Sequence, residues 1–138
     1  MYKYSNLKII TQSQIFYDGE VSSVQLSTKS GGQIMLQPNR SEFLSTIDIC
    51  KLFITVKDNQ EPLECSIGDG IVYVDESSIR IITNDIIWSK DIDVEKAEKD
   101  RDYALKQLEN AKNASDEKLF EIKLRKAINR INVSKDRN

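Results

Sequence analysis

The sequence predicts an α+β chain: an antiparallel β-sandwich over residues 1–90, then an antiparallel two-helix hairpin over residues 91–138. Three observations predict it. Short runs rich in β-branched residues recur through the first part, separated by turn residues at the spacing of a sandwich or barrel. No helical segment separates these runs, as a parallel sheet would require. From Asp91 the apolar period changes from two to three and four, in a segment dense in charge.

Each element follows in order. "LKIITQ" (Leu7–Gln12) reads as a strand. Asp18-Gly19, with extended segments on both sides, is the strongest short hairpin signal and predicts a turn. Gly31-Gly32 precedes another apolar run, "QIML". "ICKLFITV" places Leu52, Ile54 and Val56 on one face of a strand. Lys57–Pro62 reads as a polar turn, "LECSI" as a strand, Gly68-Asp69-Gly70 as a turn, and "IVYVD" as a strand. A turn at Glu76–Ser78 leads into "IRIIT" (Ile79–Thr83). Ile86, Ile87 and Trp88 close the body, with Trp88 a packing residue at the junction.

In the second part, Asp93 is the expected N-cap, with Glu95 in the first turn where the helix dipole favours an anion. Val94, Ala97, Ala104, Leu108 and Ala111 make a thin stripe, interrupted by Arg101. Lys112–Ser115 breaks the pattern, and Ser115 is the expected cap of the second helix. Phe120, Leu124, Ala127 and Ile131 make the second stripe. So short a link requires the helices to run antiparallel. Residues 92–110 carry four basic and six acidic side chains, and residues 116–138 carry seven and four, so the two segments attract. With stripes this thin, two helices packed only on each other are marginal. The hairpin therefore needs a docking surface: its own sandwich, a partner, or each in turn.

Composition removes several functions. The chain has no histidine, hence no serine–histidine or cysteine–histidine constellation and no common metal ligand of that kind. Gly68-Asp69-Gly70 lacks P-loop spacing and leads into a strand rather than a helix. A net charge of −2 offers no basic face for nucleic acid. No apolar run is long enough for a spanning helix, and "MYKYSNLKII" has no secretory apolar region. Cys50 and Cys65 read as reduced thiols. No enzyme activity and no catalytic residue is expected.

Four stretches, in order and at matching spacing, carry a resemblance. They are "LKIITQSQIFYDGEVSSVQLSTKSGG", with its Gly19-Glu20-Val21-x-x-Val24-x-Leu26-x-Thr28-x-x-Gly31 pattern; "SIGDGIVYVDESSIRIITN"; "DIDVEKAEKD"; and "LRKAINRINVSK". Together they resemble the epsilon subunit family of bacterial F-type ATP synthase over most of the chain. The resemblance implies a noncatalytic central-stalk rotor component coupling gamma to the c ring in proton-driven ATP synthesis. Its place is peripheral, on the cytoplasmic face of the bacterial plasma membrane. Its hairpin either folds on the sandwich or extends into the alpha/beta catalytic head and blocks ATP hydrolysis.

Two departures stand out. Where the family has a glycine-, proline- and histidine-containing loop, this chain has "GGQIMLQPNRSEF", so Met35, Leu36, Pro38, Arg40 and Glu42 are the candidate partner contacts there. Lys123 and Arg125, with Lys126 and Arg130, are candidates for an acidic surface of the head. Some family members hold a regulatory ATP in the hairpin. That resemblance maps the nucleotide site onto Ile92, Asp93, Lys96, Lys126 and Arg130. Lys96, Tyr103 and Lys126 stand where arginines are expected, so forked phosphate contacts are mostly lost. The competing reading makes Asp93 a cap and the cations solvated or paired, with no cofactor at all. Two further alternatives are an equivalent subunit of a divergent F-like motor without an ordinary c-ring contact, and a free-standing nucleotide-sensing module.

Overall fold

A computed structural model describes residues 1–57, 59 and 61–136. It divides into two compact units, Met1–Ile87 and Trp88–Asn138. The first holds β1 (Ser5–Ile10), β2 (Ile15–Thr28), β3 (Gly32–Leu36), β4 (Phe43–Ile47), β5 (Cys50–Val56), β6 (Leu63–Ile67), β7 (Gly70–Val74) and β8 (Ser78–Thr83); β9 (Ile86–Trp88) reaches the boundary.

The 14-residue β2 organises the sandwich. Its first half pairs with β1, from Ser5 opposite Val21 to Ile10 opposite Ile15. Its second half pairs with β3 and with β5, and Thr28 meets Ile47 of β4. The path β1–β8–β7–β4–β2 returns to β1, while β5, β6 and β9 extend from β2. Alternate residues turn inward and interlock: Leu7 and Ile9, Val24 and Leu26, Leu52 and Ile54, Val72 and Val74, Ile79 and Ile81 are all buried. Removing each such side chain from water contributes about 1.5–3 kcal/mol. Cys50 and Cys65 lie in this core as free thiols, and burial pushes both up from the ordinary thiol range.

Pairing is antiparallel along β1–β2, β2–β3, β2–β5, β4–β7, β5–β6 and β7–β8. β1–β8 is parallel, from Asn6 opposite Ser78 to Ile10 opposite Ile82. A helical crossover is not needed there, because the remaining strands of the sandwich form the connection.

Asp18-Gly19 is not a turn. Both residues lie inside β2, opposite Lys8 and Leu7. The Tyr17 ring packs over Gly19, where a Cβ would sit 3.3 Å from the phenol oxygen. The turn falls instead at Thr11–Gln14. There the Thr11 N–H donates to the Gln14 carbonyl at 2.9 Å, and the Thr11 hydroxyl both donates to that carbonyl and accepts from the Gln14 N–H. A threonine side chain thus supplies what the glycine signal suggested elsewhere.

The other turns form as the residues predict. Gly32 takes a positive φ of 68° at the β2–β3 turn, and Thr28 Oγ1 accepts the Gly31 N–H at 2.9 Å. Gly70 lets β7 approach β8 so closely that a Cβ would lie 2.4 Å from the Ile82 carbonyl oxygen. Between β7 and β8, Asp75 accepts the N–H groups of Ser77 and Ser78. The Ser77 bond, then the Ser78 contacts, hold its carboxyl below the usual carboxylate range. Of the Lys57–Pro62 segment, Asp58 and Gln60 lie outside the described residues. The strand Phe43–Ile47 was not among the expected elements.

In the second unit a short 3₁₀ turn (Ser89–Asp91) precedes α1 (Val94–Glu109) and α2 (Ala114–Lys135). Asp93 caps α1, accepting the Lys96 N–H at 3.1 Å. The cap of α2 is Asn113 rather than Ser115, which lies inside the first turn. Asn113 Oδ1 accepts the Asp116 N–H at 2.9 Å while its Nδ2 donates to the Asp116 carboxylate at 3.3 Å. An amide carries both a donor and an acceptor in that geometry, and asparagine ranks among the best caps. Ala97 and Ala104 of α1 and Ala127 and Ile131 of α2 are buried, and the two helices pack on each other. Tyr103 and Phe120 meet edge to face, centroids 6.2 Å apart.

Asn113→Ala should lower the stability of the hairpin by about 1 kcal/mol, and Ser115→Ala by less than about 0.5 kcal/mol. Amide exchange across the first turn of α2 reads both, and equal effects would return the cap to Ser115.

Candidate functional site

Three surfaces carry recognisable chemistry. The first is a cleft of about 320 Å³ in the hairpin, lined by Asp100, Tyr103 and Ala104 of α1 and Lys123, Lys126, Ala127 and Arg130 of α2. The three- and four-residue spacing sets both groups on facing stripes. Three cations against one carboxylate make the cleft attractive to an anion. Arg130 alone offers a forked donor. Lys123 lies over the Phe120 ring, 5.4 Å from its centroid.

The second surface surrounds the β3–β4 connection, where Arg40, Ser41, Glu42, Asp75, Glu76 and Ser77 line a depression of about 350 Å³. The Arg40 guanidinium sits over the Phe43 ring at 5.2 Å and donates to the Met35 carbonyl at 2.8 Å. Tyr73 Oη donates to the Glu42 carboxylate at 2.5 Å, and that bond pushes the phenol above its ordinary range.

The third is the outward face of β2, β1, β8, β7 and β4. Register places two rows across it. Ile15, Ile10, Ile82, Ile71 and Thr46 form one; Asp18, Lys8, Arg80, Tyr73 and Leu44 form the other. Leu44 is 67% exposed, Ile82 56%, Ile15 55% and Ile71 45%. Solvent-facing strands normally alternate apolar and polar. Here one outward row is apolar from Ile15 to Ile71, with Leu44 beside it, and contiguous exposed apolar patches of this kind mark interaction sites.

Residues 4–89 match the family described as "ATP synthase, Delta/Epsilon chain, beta-sandwich domain", and residues 90–135 match "ATP synthase, Delta/Epsilon chain, long alpha-helix domain". The chain belongs to the ATP synthase delta/epsilon family. It is 39% identical to the ATP synthase epsilon chain of Mycoplasmopsis pulmonis over 129 residues, 93% of this chain and 91% of that one. It is 30% identical to the epsilon chain of Ruminococcus albus over 129 residues, 93% and 94% of the two. Its fold is similar to a chain in the mitochondrial ATP synthase of Euglena gracilis, an assembly of OSCP, F1 and c-ring. The TM-score there is 0.78 at 16% identity, over 91% of this chain and 78% of that chain.

In this delta/epsilon chain the residues expected at a nucleotide site divide. Lys126 and Arg130 line the cleft. Asp93 caps α1, and Lys96 is paired with Asp100 at 3.3 Å on the exposed helix surface. Ile92 is buried, its N–H donating to the Ser89 carbonyl at 3.3 Å. Tyr103, where an arginine was expected, lines the cleft with its ring.

Of the expected partner contacts, Met35, Arg40, Glu42, Lys123 and Arg125 are exposed and Pro38 is half-buried. Leu36 is fully buried: its side chain serves the core, because the inward parity of β3 falls on it. The isoleucine face was not among the expected sites. Its signal was present, since "LKII", "GIVYV" and "IRIIT" carry apolar residues at both parities where a two-layer sandwich needs only one.

Proposed function

We propose that this delta/epsilon chain is a noncatalytic rotor subunit of an F-type ATP synthase. Its sandwich binds gamma through the isoleucine face and turns its Pro38–Glu42 end toward the c ring. Its hairpin restrains ATP hydrolysis by docking on the alpha/beta head. It acts peripherally, on the cytoplasmic face of the bacterial membrane; among the described residues no helix is long and apolar enough to cross a bilayer.

The carrying observation is the exposed row Ile15, Ile82 and Ile71 with Leu44 beside it. Covering each half-exposed isoleucine would contribute roughly 1 kcal/mol. The row spans five strands, about 19 Å, which suits a protein partner better than a small ligand. No histidine is present, and no group of metal-ligating side chains occurs among the described residues.

The hairpin cleft supports a modest anion affinity. Two ammonium groups and one guanidinium suit phosphate, but only Arg130 can fork. ATP therefore binds here more weakly than in arginine-rich members of the family, and its chemistry when bound would be to hold α1 against α2. A second reading, a divergent motor with an altered c-ring contact, draws on one observation. Arg40 and Glu42, which replace the usual loop chemistry, are engaged by Phe43, Met35 and Tyr73 within the chain. Gentle purification of the tagged chain separates the two: gamma with a c ring supports the synthase, and gamma without one supports the divergent motor.

Three outcomes follow. Ile82→Asp should abolish stoichiometric assembly with gamma, read by co-purification; full assembly would remove this face from the interface. Alanine at Lys123, Lys126 and Arg130 together should raise ATP hydrolysis by the assembled complex at least twofold, and unchanged turnover would count against restraint by the hairpin. In calorimetric titration of the isolated chain, ATP should half-saturate above about 1 mM. Lys126→Arg should tighten it, whereas micromolar binding by the unaltered chain would overturn the weak-site reading.

A further inference from the structure

The isoleucine row has a charged neighbour. One register step along the strands, Lys8 of β1 lies directly beside Arg80 of β8. Both residues belong to the outward parity, with Ile10 and Ile82 following them on the same strands. Like charges facing each other across a strand pair destabilise a sheet.

The surrounding groups do not explain the pairing. Arg80 uses one guanidinium nitrogen, which donates to the Asn6 carbonyl, the Asn6 side-chain oxygen and its neighbour's carbonyl at Ile79. Asp75 feels its charge at longer range. Asp18 lies opposite Lys8 in register, but its carboxylate takes the Asn6 side-chain amide at 3.5 Å. Among the described residues, neither Lys8 nor Arg80 comes within ion-pair distance of a carboxylate. A like-charge pairing that no carboxylate among the described residues neutralises breaks a local rule and points to something outside the chain.

We propose that Lys8 and Arg80 form a carboxylate-recognition pair on the docking face, receiving an acidic side chain of the partner segment whose apolar residues cover the isoleucine row. The proposal rests on the reading that this face binds gamma, and it adds the chemistry of the contact. Two residues along a strand separate the cations from the isoleucines, roughly 7 Å. That distance is right for a segment whose apolar stripe is bordered by a carboxylate. The isoleucines supply the affinity. The cations fix register and steer encounter, as charges at an interface rim do. Tyr73, in the same row, has its hydroxyl turned to Glu42, so its ring rather than its hydroxyl is left for the partner.

The test uses the full chain titrated into the alpha–beta–gamma complex from which this subunit has been removed. Affinity is measured from about 50 mM to about 300 mM salt, a range over which screening of exposed charges changes strongly. Lys8→Gln should weaken binding about tenfold at the lowest salt and flatten the salt dependence, and Lys8→Glu should weaken it further. Among the described residues Lys8 makes no hydrogen bond or ion pair, and its neutralisation relieves a like-charge pairing, so weaker binding would not come from a destabilised sheet. Arg80→Gln should behave like Lys8→Gln, with its unfolding midpoint checked because Arg80 also holds Asn6. If both glutamine variants bind as the unaltered chain does, with the same salt slope, while Ile82→Asp abolishes binding, the face is right and the recognition pair is overturned. If Ile82→Asp also binds unchanged, the docking reading falls and this inference falls with it.

Discussion

Every buried backbone N–H and carbonyl in a sheet must find a partner, and in this sandwich that requirement converges on β2. Over 14 residues it serves β1 and β3, β5 and, at Thr28, β4. A shorter strand would leave either the β1–β8–β7–β4 side or the β5–β6–β9 side without its anchor. The irregular register between Val21 and Ser23 lies where β2 passes from one set of neighbours to the other, as bulges do where strands bend. The core, the turns and the outward rows all take their registers from this strand.

Alternation along these strands gives each residue one of two environments, and the chain uses the contrast. Inward positions hold the buried apolar core, with Ser5, Thr28 and Thr83 as its polar members. Outward positions on β8, β7 and β4 carry apolar residues too, with Ile82, Ile71 and Leu44 exposed beside the polar Arg80 and Thr46. The sandwich thus has one complete core and the exposed half of another. The hairpin follows a different economy. Its buried residues include three alanines, Ala97, Ala104 and Ala127, so its apolar contribution is small, and much of its surface is charge. One unit thus presents a strong apolar surface, and the other a thinly apolar, charged pair of helices.

Most of the fold was legible in the sequence because its signals are local. Period two in "ICKLFITV", the Gly31-Gly32 turn and the acidic cap Asp93 each act within a few residues, and each formed as read. The misreadings come from longer range. Asp18-Gly19 has ideal turn chemistry, but pairing with Lys8 and Leu7 and the Tyr17 ring over Gly19 kept it extended. Ser115 is a good cap, but Asn113 two residues earlier bonds Asp116 twice. The parallel β1–β8 pairing joins residues more than seventy positions apart and has no local signature. The rows on the outer face are legible only once registers are known, because they collect one or two residues from each of five strands.

The parallel seam has a mechanical meaning. β1 begins the sandwich, and β8 leads through β9 into the helical unit. A pull between the start of β1 and the end of β8 drags two parallel neighbours past each other lengthwise. The pairs from Asn6–Ser78 to Ile10–Ile82 then share the load together instead of opening one after another from an end. Tension along the chain is therefore borne in shear by the whole seam, which is the orientation in which hydrogen-bonded strands yield last.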